Sequence, residues 1–237
     1  MIQFSNAYRS TQDEILDDLD LKGPEMERML HDLDVVNSWL GGENVTISGI
    51  EYLLAKAPSN RQITIVDIGC GDGAILRKLA EYGEKNGHDF KLIGIDANPN
   101  ILDQAKNRSQ DYANIEYGHH NIFSDAPIPH NYDIALCTLF LHHFDNEQIK
   151  SILKTLGHQS QLGVIVNDLQ RNWWAFWLFR IFSSIFIKTR IARHDGLVSV
   201  ARGFKKKELD QLSKSLSGYT HRISWKWAFR WQWILEK

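Results

Sequence analysis

The chain has 237 residues, a formal net charge of −2 and 24% charged side chains. That length suits one α/β domain with a large core, and the near-neutral balance gives no reason to expect a nucleic-acid partner. Cys70 and Cys137 fall in expected strand regions and read as small buried hydrophobes, not a disulfide pair.

Met1 to Ser10 holds no apolar core of a signal peptide, so a cytoplasmic location is expected. The longest apolar stretch, Ala175 to Ile187, is too short to span a bilayer and contains Arg180. Pro24 opens a helical pattern, with Met26, Met29, Leu30, Leu33, Val36 and Leu40 spaced onto one side, and Gly41-Gly42 stops it. A second helix is expected from Asn44 to about Ala57, and Pro58 and Ser59 mark a boundary. Residues 1–58 therefore read as an N-terminal helical cap, and 59–237 as the main domain.

In that domain strand and helix alternate. Strands are expected near 63–68, 91–96, 114–118, 132–138 and 162–168, and helices near 73–86, 99–109 and 145–156. Such alternation implies a mostly parallel sheet with helices on both faces and ligands at the carboxyl ends of the strands. Gly69, Asp96, Asn121 and Leu139 would converge there. The aromatic-rich stretch 170–203 reads as a helical, lid-like insertion. Lys205 to Ser217 reads as a last helix, and Tyr219 to Leu235 as a β-hairpin closing the sheet.

The most informative segment is Val66-Asp67-Ile68-Gly69-Cys70-Gly71-Asp72-Gly73, followed by Gly94-Ile95-Asp96. An apolar run, a glycine-dense turn and a helix bring backbone N–H groups up to a ligand. Asp96, 23 residues past Gly73, can accept from both hydroxyls of a ribose. Gly69-x-Gly71-x-x-Ala74 also satisfies the dinucleotide pattern. Asp67 and Asp72, however, would oppose a pyrophosphate: like charges about 4 Å apart repel by roughly 4 kcal/mol at an effective dielectric of about 20. S-adenosylmethionine suits the acids better. Its ammonium can meet Asp67, and its carboxylate can use N–H groups around Gly71 and Gly73. A nicotinamide oxidoreductase ranks behind on this charge argument.

These residues resemble a known family, the class I S-adenosylmethionine-dependent methyltransferases. Val66 to Gly73 looks like motif I, and Gly94-Ile95-Asp96 like the acidic motif after it. Tyr132 to Cys137 and Leu141-His142-His143-Phe144 look like the fourth strand and its loop. The resemblance runs from Ile63 to Asp168. Leu16-Asp17-Asp18, Asn37 to Gly42, Asp168 to Arg171, His194-Asp195-Gly196 and Ser199-Val200 are similar to bacterial methyltransferases beside polyketide and aryl-pigment pathways. Many members carry an acid after the third strand, where this chain has Asn121, which still pairs with an adenine edge. The resemblance implies a Rossmann-like, seven-stranded, mostly parallel sheet with S-adenosylmethionine as cofactor. Asp67, Gly69, Cys70, Gly71, Asp96, Ala97, Asn121, Ile122 and Leu139 would hold it.

His142 and His143 follow the fourth strand beside the expected methyl group, and either can serve as general base for a phenol. Asp168 can order a substrate hydroxyl or pair with Arg171. His194, with Asp195 next to it in an expected loop, is a further base candidate, although adjacent residues rarely face each other. His119 and His120 point to opposite faces of a strand, so no metal is expected. Trp173, Trp174 and Trp177 read as core packing, a substrate lid, a dimer face or a membrane-surface helix. The expected function is methyl transfer to a small apolar acceptor, at an oxygen of a phenolic or polyketide-like compound, with carbon left open. The rival is a non-catalytic S-adenosylmethionine sensor or partner subunit.

Overall fold

The computed structural model describes residues 2–19, 21–57, 61–123, 128 and 131–237. The boundary expected at Pro58 and Ser59 lies outside them. Two helices open the chain, α1 (Pro24–Trp39) and α2 (Gly42–Leu54). Strand β1 (Ile63–Ile68) leads through the glycine turn into α3 (Ala74–Asn86), then β2 (Phe90–Asp96), α4 (Pro99–Arg108) and β3 (Ile115–His119). After β4 (Tyr132–Thr138) come α5 (Asn146–Gln159), β5 (Ser160–Leu169), α6 (Trp173–Phe186), α7 (Arg190–Arg202) and α8 (Lys206–Lys214). Strands β6 (Thr220–Lys226) and β7 (Arg230–Glu236) form the final hairpin.

The seven strands order as β3-β2-β1-β4-β5-β7-β6, with only β7 antiparallel to its neighbours. This is the expected Rossmann-like α/β sheet. The order reverses at β1 and β4, so the β1 turn and the β4 loop open into one crevice at the strands' carboxyl ends. β1 and β4 are buried at nearly every position because both faces are covered. On one face, Ile50 and Leu53 of α2 pack with Leu76 and Leu79 of α3 against Ile65, Leu136 and Ile165. The other face packs on α5 and α8 through Ile149, Leu153, Leu209 and Leu212.

Local chemistry explains the boundaries. Asn98 caps α4 by accepting from Asn100 N and Ile101 N, with Pro99 at the first position. Asp145 and Gln148 form a capping box on α5. α2 starts at Gly42, two residues before the expected Asn44, because Gly41 takes a left-handed conformation (φ 67°) and turns the chain directly from α1.

The 170–203 insertion is two helices, and α1, α6 and α7 share an apolar cluster that includes Met26, Met29, Leu30, Ile191, Phe179 and Phe182. Within α6 the burial is one-sided. Ala175 and Phe176 are buried, whereas Trp173, Trp174 and Trp177 are 43%, 63% and 39% exposed. Core packing is therefore not the role of these three tryptophans. Among the described residues no helix is long and apolar enough to cross a membrane.

Candidate active site

The β1 turn is built on three left-handed glycines, Gly69 (φ 69°), Gly71 (φ 54°) and Gly73 (φ 77°). A Cβ on Gly69 would lie 2.3 Å from the Phe140 ring, so tight packing requires glycine there. A Cβ on Gly71 would meet nothing within 4 Å, which leaves that backbone open to a ligand. The turn's own N–H groups are largely committed. Gly69 N and Cys70 N donate to Ile95 O, Gly71 N to Asp96 Oδ2 and Gly73 N to Cys70 O. Of the N–H groups around Gly71 and Gly73 expected to receive the cofactor carboxylate, those of the two glycines themselves are thus engaged within the turn. The first intrahelical bond of α3 is Arg77 N to Gly73 O, so the N–H groups of Ile75 and Leu76 precede it and suit an anion.

Asp67 is 1% exposed, and its Oδ1 has no hydrogen-bond partner. Burial, then the nearby Asp96 charge, pushes its carboxyl well above the ordinary range. A buried carboxylate with an orphaned oxygen on a cavity wall fits the ammonium of an amino-acid ligand. Asp72 does not supply the negative field expected of it. Arg77 and Arg108 both pair with it, and both reach Asp34 of α1. The charge argument against a pyrophosphate therefore rests on Asp67. Burial, then the Asp72 charge, pushes Asp34 up to about 7.

Asp96 ends β2, with Oδ2 on Gly71 N and Oδ1 on Asn98 N, 3.0 and 2.9 Å away. With Ala97 N also bonded to this carboxylate, three backbone donors hold it in place, and it keeps acceptor capacity for a ribose hydroxyl. Ala97 O takes a bond from His119 Nε2 at 3.0 Å. Asn121 is exposed, and its Oδ1 accepts from Phe123 N, so the side chain caps its own turn. Ile122 packs against the sheet core. Leu139 holds a left-handed φ of 53° and donates to Asn167 O at 2.8 Å, a strained position of the kind found at ligand sites. Burial, then Asp96, holds the Cys70 thiol well above its usual range, so Cys70 is wall and not nucleophile.

Asp67, Gly69, Cys70, Gly71 and Leu139 line a cavity of about 480 Å³; Asp96, Ala97, Asn121 and Ile122 lie outside its wall. Leu30, Leu33 and Val36 of α1, with Leu40 just after it, form one side, and Ala175, Leu178, Phe179 and Phe182 of α6 the other. The inner face of α6 thus lines the cavity, whereas Trp173, Trp174 and Trp177 do not. Glu14, His142, His143, Asp195 and Ser199 make the polar corner.

That corner revises the catalytic candidates. His142 is buried, with Nδ1 2.7 Å from Asp168 Oδ1 and Nε2 3.2 Å from Glu14 Oε1. Burial opposes its charge, but Asp168 and Glu14 outweigh burial and push the ring up to about 9. A ring that is already protonated at neutral pH cannot be the general base. Asp168 is itself buried and spends its oxygens on His142 and on Leu169 N, so it orders His142 and not a substrate hydroxyl. Arg171 pairs with Glu208, not with Asp168. His143 is half-buried on the cavity wall; its Nδ1 is 2.7 Å from Asp17 Oδ1, in ion-pair contact but off the line of a hydrogen bond.

His194 sits inside α7, not in a loop, and lies outside the cavity wall. Its Nδ1 contacts Asp195 Oδ1 at 2.9 Å, so these adjacent side chains do meet. Asp195 also accepts from Ile15 N and Leu16 N, 2.9 and 3.0 Å away, and so pins the turn that carries Glu14 and Asp17. Sequence reasoning missed Glu14 altogether and read Asp17 only as part of a resemblance. No periodicity or spacing marks an acid that reaches the site from more than a hundred residues away along the chain.

Comparison with known proteins agrees with this geometry. Residues 65–158 match a family described as a methyltransferase domain. The chain is 25% identical over 142 residues to a ubiquinone biosynthesis O-methyltransferase from Serratia proteamaculans (strain 568), covering 58% of this chain and 55% of that protein. It is 25% identical over 141 residues to a non-reducing polyketide synthase from Stereocaulon alpinum, covering 53% of this chain and 6% of the synthase. The match thus spans about half the length of the Serratia relative. In three dimensions it resembles a plantazolicin methyltransferase in complex with S-adenosylhomocysteine, with TM-score 0.64 and 14% identity, covering 87% of this chain and 89% of that one. Residues 65–158 thus carry a methyltransferase domain, and the glycine turn, the acidic second strand and the sheet around them have the arrangement of the class I S-adenosylmethionine-dependent fold.

Proposed function

We propose that the protein transfers the methyl group of S-adenosylmethionine to an oxygen of a small, largely apolar acceptor of phenolic or polyketide-like type. One observation carries this reading. A single cavity joins the Asp67 carboxylate, with its unpartnered Oδ1, through apolar walls to the polar corner at Glu14 and His143. When bound, the cofactor supplies an activated methyl group. Asp67 takes its ammonium, the first turn of α3 its carboxylate, and Asp96 its ribose. Leu33, Val36, Phe179 and Phe182 bury the acceptor's apolar body and exclude water, while the polar corner receives its hydroxyl. Holding the acceptor oxygen and the methyl carbon in line supplies much of the rate. The names of the Serratia and Stereocaulon relatives, an O-methyltransferase and a polyketide synthase, support the choice of acceptor.

The test is incubation with methyl-labelled cofactor and a panel of phenols or an extract of the source organism. Label recovered in a small organic methyl ether is the expected result. Cofactor binding without transfer to any acceptor would favour a sensor, and label on carbon would move the acceptor atom.

A further inference from the structure

We propose that Glu14, His142 and His143 form a binding site for a divalent cation of the zinc type, open on its cavity side to the acceptor oxygen. The site itself stands on the geometry below; its part in the reaction rests on the methyl-transfer reading above. The Nδ1 atoms of the two imidazoles lie against two different carboxylates, His142 on Asp168 and His143 on Asp17, each at 2.7 Å. Asp168, which only accepts, keeps a proton on Nδ1 of His142, and the Asp17 charge favours one on the facing Nδ1 of His143; a cation then takes the two Nε2 atoms, and the second proton of His142 leaves to solvent. The two Nε2 atoms converge on one carboxylate, 3.2 Å from Glu14 Oε1 for His142 and 4.0 Å from Glu14 Oε2 for His143. Ser199 Oγ donates to Glu14 Oε1 at 2.8 Å and fixes that side chain in turn.

The donor atoms of the three residues lie within 4.8 Å of one another. Tetrahedral zinc, with ligands at about 2.0–2.2 Å, keeps them roughly 3.3–3.5 Å apart, so closure needs side-chain movements on the order of 1 Å. Charge agrees with geometry. Glu14, Asp17 and Asp168 bring three negative charges, and Arg202 NH1 pairs with Asp17 Oδ2 at 3.0 Å. Two negative charges remain to complement one dication once the cation has displaced the second proton of His142. Two imidazoles with one carboxylate select zinc-like ions over magnesium or calcium, and three protein ligands leave a position free.

In the reaction the acceptor hydroxyl enters that position. Its O–H bond breaks and the proton leaves to water. The oxygen lone pair then forms the bond to the methyl carbon as the methyl–sulfur bond breaks, with that electron pair staying on sulfur. His119 and His120, from which the sequence argued against metal, play no part.

The experiment takes the full chain, strips it with a chelator, dialyses it, and titrates zinc chloride by calorimetry with metal counted by mass spectrometry. One zinc per chain is expected. Glu14→Gln and His143→Gln each weaken binding by more than about tenfold, and Asp168→Asn, which supplies no ligand, by about 10–100-fold. S-adenosylhomocysteine binding, measured on the same samples, reports folding. Substoichiometric zinc in the unaltered protein overturns the site whatever the variants do. Stoichiometric zinc that survives both Glu14→Gln and His143→Gln overturns it equally. Undiminished methyl transfer by metal-free protein removes the cation from the reaction and leaves methyl transfer standing. Zinc bound at these residues with no transfer to any acceptor keeps the site and overturns the function proposed above.

Discussion

Asp67→Asn separates cofactor binding from folding because the two should move in opposite directions. Asp67 is 1% exposed and its Oδ1 has no partner, so in the free protein the carboxylate is a burden. Its pKa is raised, and the sign follows. Above the unfolded value near 3.8 the unfolded chain gives up this proton before the folded one does. The folded state then binds more protons, and stability falls as pH rises out of the ordinary carboxylate range. Asparagine keeps the shape and removes the charge, so the ligand-free variant should melt at or above the parent temperature at neutral pH, with a flatter pH dependence. Binding should respond the other way. A charge-assisted hydrogen bond to the ligand ammonium is worth about 1.5–3 kcal/mol, or roughly a ten- to hundredfold loss of affinity for S-adenosylhomocysteine. Calorimetric titration and thermal melts across pH measure both. Unchanged affinity refutes the placement of the amino-acid end at Asp67, and a strongly destabilised ligand-free variant refutes the account of an uncompensated charge.

Other consequences follow from the same geometry. Asp96→Ala should weaken the cofactor by at least roughly tenfold through loss of the ribose contacts, read by the same titration. Phe179→Ala should raise the acceptor Michaelis constant by about ten- to a hundredfold, since burying one aromatic side chain against an apolar ligand is worth about 1.5–3 kcal/mol. Trp174→Ala, on the outer face of the same helix, should leave acceptor and cofactor kinetics unchanged. Asp34, pushed up to about 7 chiefly by burial and then by Asp72, should make the fold lose stability as pH rises from near 4 to near 7. In Asp34→Asn, melts over that range should show a smaller decline.

The alternating core was legible because its signals are local. Apolar runs, glycine turns and caps such as Asn98-Pro99 each act within a few residues, and β1, α3, β2 and β4 fall where those signals place them. That Asp67, Gly69, Cys70 and Gly71 come together at one cavity wall was legible for the same reason, since one strand end and one turn carry them all. Errors arose where direction mattered more than identity. Trp173, Trp174 and Trp177 are apolar, but the side of α6 facing the cavity is set by α1 and α7, which present Leu30, Leu33 and Ile191 to Phe179 and Phe182. Which way a helix turns depends on its partners, and composition does not report them.

The polar corner was hidden for a deeper reason. Its groups come from an N-terminal turn (Glu14, Asp17), the loop after β4 (His142, His143), the end of β5 (Asp168) and α7 (Asp195, Ser199). None predicts another by spacing. A histidine after the fourth strand does suggest a base, and as an isolated side chain that inference is sound. Two carboxylates on one ring reverse it, because charge that stabilises the imidazolium removes the lone pair a base needs. Asp168 and Asp17, one against Nδ1 of each ring, leave the two Nε2 atoms facing Glu14 as a pair. Glu14, Asp17 and Asp168 therefore decide what the histidines can do, and they become neighbours of the rings only once the chain has folded.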